Sequence, residues 1–192
     1  MDTTVGLRER KKAETRQAVH EAALRLVVEH GLDAVTVESI ADAANISRRT
    51  FSNYFDGKED ALLYGEEQRV RLLVEQVRAQ PAGQSAWQAL CGAIEVLFED
   101  VGEPEREWAQ RTRLAKRHPS LLARQLANLA ALERDLADAV GGRGSAVSPP
   151  VLAAAFMTAM RLAMHQWIEE EQARTMREVV LENLGQIARP FA

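Results

Sequence analysis

Apolar residues recur along this chain at helical rather than strand spacing. Ala18, Val19, Ala22, Ala23, Leu26 and Val27 fall at i, i+1, i+4, i+5, i+8 and i+9, which draws one stripe down a helix. Gly31, after Glu29-His30, suits the left-handed conformation that ends such a helix. Thr36 then offers a hydroxyl to the free N–H groups of a new first turn, and Val35 and Ile40 have the spacing of a hydrophobic staple around it. This second helix is predicted to run through Ala44. Asn45 follows, a residue that tolerates positive φ, so the chain can turn sharply there. Ser47 caps a third helix, with Ile46 and Phe51 repeating the staple spacing. Two short helices across so tight a turn form a helix-turn-helix, with Ile40, Ala41, Ala44, Ile46, Phe51 and Phe55 as its core.

Beyond the turn at Asp56-Gly57, a long helix is predicted from Lys58 to about Ala79, broken by Pro81-Ala-Gly83. Further helices are expected at roughly 85–101, 105–117, 119–140, 148–170 and 173–188. Their punctuation is Gly102/Pro104, Pro119, the GGRGSAVSPP stretch at 141–150, and a polar turn near Glu171. Alternating Val/Ile/Thr/Tyr runs and Asn-Gly hairpin turns are missing, and no internal repeat is evident. The expected fold is therefore all-α with about nine helices. The expected division is residues 1–60, holding the helix-turn-helix behind a basic arm at 1–12, and residues 61–192, a second helical domain.

Composition narrows this picture only slightly. With 46% hydrophobic and 27% charged residues, the chain is ordinary for a soluble globular protein. No run of about 18 apolar residues suggests a membrane span, and the opening MDTTVGLRERKK lacks an apolar signal region, so a cytoplasmic location is expected. The lone Cys91 lies in the apolar stretch AWQALCGAIEVLF, where a buried structural thiol is expected rather than a reactive one. The net charge of −4 does not advertise a nucleic-acid partner, and residues 1–60 carry nine Lys/Arg against eleven Asp/Glu. Placement matters more: Arg8, Arg10, Lys11, Lys12 and Arg16 cluster, and Arg48 and Arg49 are adjacent.

In a helix-turn-helix the second helix enters the major groove with its N-terminal residues against base edges. Arg48, Arg49 and Thr50, just after Ser47, and Asn53 one turn on hold that position. Arginine can fork onto guanine O6 and N7, Asn can pair with adenine, and a Thr methyl can meet a thymine methyl. Adjacent arginines are ordinarily just a solvated surface. The capped, stapled turn before them is what favours base contact, and which of the two reaches a base stays open.

The segment EAALRLVVEHGLDAVTVESIADAANISRRTFSNYFDGKEDALL resembles the N-terminal domain of the tetracycline-repressor (TetR) family, matching through GLDAVTV, IADAANIS, RTFSNYF and KEDALL over about residues 8–65. The resemblance implies that Thr36 donates to a phosphate, that Tyr54 places its hydroxyl on the DNA backbone, and that Lys58 clamps another phosphate. Each has a plainer alternative, capping for Thr36 and packing for Tyr54. Asn45 stands where the family often has glycine, and Ser52 where many members have an aromatic residue. The basic arm can reach along the backbone or into the minor groove, or lack order. GLRERKK with SRRTFSNYF and KEDALL is most similar to a subgroup that binds acyl-CoA-like ligands, which makes a long-chain acyl thioester one candidate effector.

For the second domain, the resemblance implies a pocket among the middle helices and an inducer within it. Trp87, Phe98, Trp108, Met157, Met160 and Met164 are the large, soft side chains that suit an irregular apolar pocket, although such residues at helical spacing are also ordinary core. Arg161 and His165, at i and i+4, can orient a polar or anionic head group or simply edge the helix. Segment 151–168 is rich in small residues, and Met176, Val179, Val180, Leu184 and Ile187 form a stripe on the last helix; both are expected to build a homodimer interface. An enzyme is the rival reading. The four histidines are scattered without metal-ligand spacing, GGRGS follows a helix rather than a strand and reads as a linker, and Glu169-Glu170-Glu171 reads as a solvated helix end. No catalytic residue, metal or cofactor is expected; the expected partners are an operator duplex, a small hydrophobic effector and a second copy of the chain. A helical interaction protein that keeps the fold without binding DNA is the third reading.

Overall fold

The computed structural model describes residues 3–102, 118–171 and 173–188. Among these the chain is all helix: α1 (Thr3–His30), α2 (Val37–Ala43), α3 (Arg48–Ser52), α4 (Lys58–Ala79), α5 (Ala86–Val101), α6 (Pro119–Val140), α7 (Pro149–Glu169) and α8 (Met176–Ala188). The helix predicted at 105–117, with Trp108, lies outside the described residues. The caps are those the sequence offers. Thr36 Oγ1 accepts from Ser39 N at 3.1 Å while Ser39 Oγ accepts from Thr36 N, and Ser47 Oγ accepts from Thr50 N at 3.0 Å. Asn45 takes the left-handed conformation at φ 54, and Gly31 ends α1 at φ 79.

The N-terminal arm differs from the looser alternatives. Helix α1 starts at Thr3, so Arg8 to Lys12 are helical and continuous with the stripe that packs into the protein. Nothing between Thr3 and His30 interrupts a helix, since Gly6 is the only glycine and proline is absent.

Two compact units result. The first takes the chain as far as Gln68 together with 118–126; the second takes 69–102 and the residues from Ala127 onward. The boundary expected at residue 60 therefore falls inside α4, and the start of α6 belongs with the helix-turn-helix. Tertiary packing is the reason. Leu121 is buried in the same core as Val19, Ile40, Phe51 and Phe55. Around it His118 Nε2 lies 2.8 Å from Asp33 Oδ1, Ser120 Oγ donates to Glu59 Oε1 at 2.9 Å, and Arg124 Nε pairs with Asp60 Oδ1 at 2.7 Å. The aromatic part of this core is Phe51, Phe55 and Tyr64, with ring centres 5.6 and 5.7 Å apart in sequence.

In the second unit α5, α7 and α8 pack around Leu90, Ala93, Phe156, Ala159, Ala163, Val179, Val180 and Leu184, all buried. The stripe on the last helix is thus spent within the protomer: Met176, Val179, Val180 and Leu184 face its own core, not a partner, and only Ile187 is partly exposed. The GGRGS stretch is likewise more than a linker. Arg143 donates to the carbonyls of Val77, Gln80 and Pro81 at 2.8–3.1 Å, and Ala86 N donates to the Gly144 carbonyl. The guanidinium there adds donors to carbonyls at and just past the end of α4, of which Val77 and Pro81 also accept from the Gln80 and Gln84 backbone.

Candidate nucleic-acid interface

Ile40 and Ala41 of α2 and Phe51 of α3 are buried together, which fixes the angle between the two short helices and turns the rest of α3 outward. Arg48 and Arg49 are both exposed there. Arg48 Nη1 pairs with Glu38 Oε1 of α2 at 2.9 Å; both side chains are more than half exposed, so the pair is weak and readily exchanged for another acceptor. Arg49 extends from the same turn. Thr50, half-buried, shares its hydroxyl with Ser47 at 2.8 Å, and Asn53 is exposed one turn on. Among the described residues this groups Ser47, Arg48, Arg49 and Asn53, all exposed, with half-buried Thr50 on one short helix and its caps. Thr36 is exposed, and its oxygen is used as acceptor by Ser39, which leaves its hydroxyl proton available to an incoming oxygen.

Two positions are more constrained than their sequence suggests. Tyr54 is half-buried, and Arg16 of α1 lies over its ring at 5.9 Å and over that of Tyr64 at 5.9 Å, a cation–π arrangement bridging α1, α4 and the turn after α3. Lys58 donates from Nζ to the carbonyls of Leu32 at 2.8 Å and Val35 at 2.9 Å. Two of its three donors thus hold the loop before α2, and one remains. Nearby, His20 Nδ1 donates to the Ala61 carbonyl at 2.8 Å, and a Cβ on Gly65 would stand 2.7 Å from His20 Nε2. That close approach explains a glycine in the middle of α4.

In the second unit the soft residues divide. Trp87 and Phe98 of α5 and Met157, Met160 and Met164 of α7 are partly buried against one core, with Trp87 edge-on to Phe156 at 6.4 Å. Arg161 and His165 do not join them. Both are exposed on the outward side of α7, where His165 Nε2 lies 3.1 Å from Glu169 Oε1. About 100° of helical phase, one residue's step, separates Met160 and Met164 from Arg161 and His165. Burial, with Glu95 adding to it, pushes the Cys91 thiol up to about 11, so it is inert as a nucleophile near neutrality. Among the described residues no group of His, Cys, Asp and Glu is arranged to hold a metal ion, and no helix is long and apolar enough to cross a membrane.

A capped helix-turn-helix with an exposed second helix in one unit, and a second unit that is helical among the described residues, invite comparison with known regulators. Residues 20–64 match the model of bacterial regulatory proteins of the tetR family, and residues 84–192 match that of the MftR C-terminal domain. The HTH-type transcriptional regulator TcmR of Streptomyces glaucescens is 30% identical over 173 residues, covering 84% of this chain and 76% of that one. The chain belongs to the TetR family. It is a transcriptional regulator with a helix-turn-helix DNA-binding domain and a C-terminal ligand-binding domain. Among solved folds, FadR of Thermus thermophilus, a TetR-family repressor in complex with lauroyl-CoA, superposes with a TM-score of 0.59 at 24% identity, over 92% of this chain and 95% of that one. SmeT of Stenotrophomonas maltophilia, in complex with triclosan, gives 0.65 at 14% identity over 92% and 91%. These two TetR-fold regulators hold quite different ligands.

Proposed function

We propose that this TetR-family regulator is a repressor that binds a pseudo-palindromic operator as a homodimer and leaves it when a small hydrophobic effector enters the second unit. The observation that carries the reading is the exposure of Arg48, Arg49 and Asn53 together at the start and end of a five-residue helix whose other side is anchored by Phe51. In this reading Arg48, Arg49, Thr50 and Asn53 face base edges, while Thr36, Ser47, Tyr54 and the remaining donor of Lys58 face phosphates.

The dimer needs an apolar surface that the protomer does not use. The outward face of α7 supplies one: Val151, Ala155, Thr158, Leu162 and His165 follow one another at alternating steps of four and three, the spacing of a helix-pairing seam. Val151 and Leu162 are 50% and 42% exposed, which is costly for a solitary chain. His165 belongs to this seam and Arg161 flanks it, so neither is assigned to the effector site. The effector is assigned to the face of Trp87, Phe98, Met157, Met160 and Met164, whose adaptable thioethers suit an acyl chain or another apolar ligand. An acyl-CoA-like ligand is the first candidate because a TetR-fold repressor with lauroyl-CoA shares the architecture.

An effector releases DNA only if it binds better to the conformation whose reading helices are wrongly spaced. Helix α4 is suited to carry that change, with Lys58 at one end and the Arg143-capped carbonyls at the other. Selection of bound duplexes from a random pool tests the proposal: it is expected to return half-sites centred about one turn, roughly 34 Å, apart or a multiple of it. A pool that shows no enrichment favours the helical interaction protein instead.

A further inference from the structure

The two adjacent arginines of α3 do not stand in equivalent surroundings. Arg48 Nη1 reaches across to Glu38, in the first turn of α2, and lies 2.9 Å from its Oε1. Arg49 is exposed beside it and has no carboxylate partner among the described residues. A guanidinium carries five N–H donors in a planar fork. With Nη1 turned toward Glu38, the edge made by Nε and Nη2 keeps both of its parallel donors, and among the described residues no hydrogen bond occupies it. Such an edge matches O6 and N7 of guanine. Arg49 can present the same fork, but no side chain of α2 limits where it points.

Glu38 is otherwise out of place. It stands two residues after Thr36, and its side chain is 53% exposed on a helix that borders the reading helix, where an unpaired carboxylate opposes phosphates. Paired, it acts differently. Arg48 and Glu38 together carry no net charge, so the pair adds nothing to the attraction for duplexes in general. The open fork still favours a duplex that offers guanine, and a difference between partners is what specificity requires. In water an exposed pair of this kind is worth little. As water leaves the groove the same contact strengthens, and an arginine held at one end has fewer orientations to lose on meeting a base.

We infer that Glu38 is a specificity-determining residue, which positions the Nε–Nη2 edge of Arg48 for a guanine and cancels the charge of Arg48 toward the DNA backbone. Glu38 acts through Arg48 and touches no base itself. Of the two arginines, Arg48 is therefore the one whose base contact α2 supports. This rests on the DNA-binding reading of the first unit.

The test measures the effect of Glu38→Ala in wild type, in Arg48→Ala and in Arg49→Ala. Affinities are taken for the duplex recovered by selection and for a scrambled one, over a series of salt concentrations. Alanine suits an exposed helix position, so the urea midpoint is expected to stay close to that of the parent. In the wild-type background Glu38→Ala is expected to bind the scrambled duplex more tightly. Its slope of log affinity against log salt steepens by about 0.9 per protomer, as Arg48 is released to a phosphate. Preference for the selected duplex falls by roughly two- to fivefold per half-site, the worth of an exposed ion pair. That fall disappears in the Arg48→Ala background and persists in Arg49→Ala. An unchanged preference overturns the assignment, and so does an equal fall with and without Arg48, which would mean bulk charge. A lowered midpoint with both duplexes weakened alike also overturns it, since Glu38 would then serve only the fold. If wild type enriches no duplex at all, the DNA reading itself fails; if it enriches one and Glu38→Ala is silent, only the role of Glu38 falls.

Discussion

Individual residues carry much of this fold through backbone satisfaction. Asn45 holds φ 54 between α2 and α3, a conformation that costs an ordinary L-residue about 1–2 kcal/mol. Asn45→Ala is therefore expected to lose about 1 kcal/mol in urea denaturation while Asn45→Gly stays close to wild type. Arg143, with three carbonyls at the end of α4, predicts a loss of about 1–3 kcal/mol on Arg143→Ala, read the same way. Asn45, Thr36 and Ser47 were legible in the sequence because caps and tight turns depend on neighbours a few residues away. Cys91, read as buried from its apolar neighbours, is half-buried against the core of the second unit. Arg143 and Lys58 were not legible, because their partners lie 62–66 and 23–26 residues distant. Lys58→Ala is accordingly expected to loosen the loop at Leu32–Val35 as well as weaken all duplexes alike.

Among elements, the contrast between α7 and α8 is the instructive one. A stripe on a terminal helix says that something covers it, and periodicity alone cannot tell a neighbouring helix from a partner chain. Here α7 covers the stripe of α8, and the seam of Val151, Ala155, Thr158 and Leu162 is what remains outside. Leu162→Asp is expected to shift the protein toward monomer in sedimentation with little change in helical content, whereas Val180→Asp unfolds the second unit. The turn joining these helices is electrostatic. Hydrogen bonds from Arg174, then from Gln166, hold the Glu170 carboxyl below the ordinary 4.5, and the Thr175 backbone N–H does the same for Glu178. A depressed carboxylate stabilises the fold above its unfolded value and loses that contribution as pH falls through the folded one. Stability measured by denaturation should therefore decline below about pH 4.5, and less steeply in Glu170→Gln.

At the scale of the molecule, helix periodicity made the all-helical architecture readable, and the motif from Val35 to Lys58 identified the reading head. The division into units was harder. That α6 begins in the first core follows from Leu121 and from the ion pair of Arg124 with Asp60, contacts between segments about 60 residues apart which no local pattern announces. The central claim is that α3 reads sequence with Arg48 and Arg49 while other contacts only hold the backbone. Measuring the affinity of wild type and of Arg48→Ala/Arg49→Ala for the selected duplex and for a scrambled one tests it most directly. The account predicts that the variant loses about 1–3 kcal/mol of discrimination for each bidentate contact removed, with affinity for the scrambled duplex changed far less. A variant that keeps the wild-type ratio between the two duplexes would contradict it.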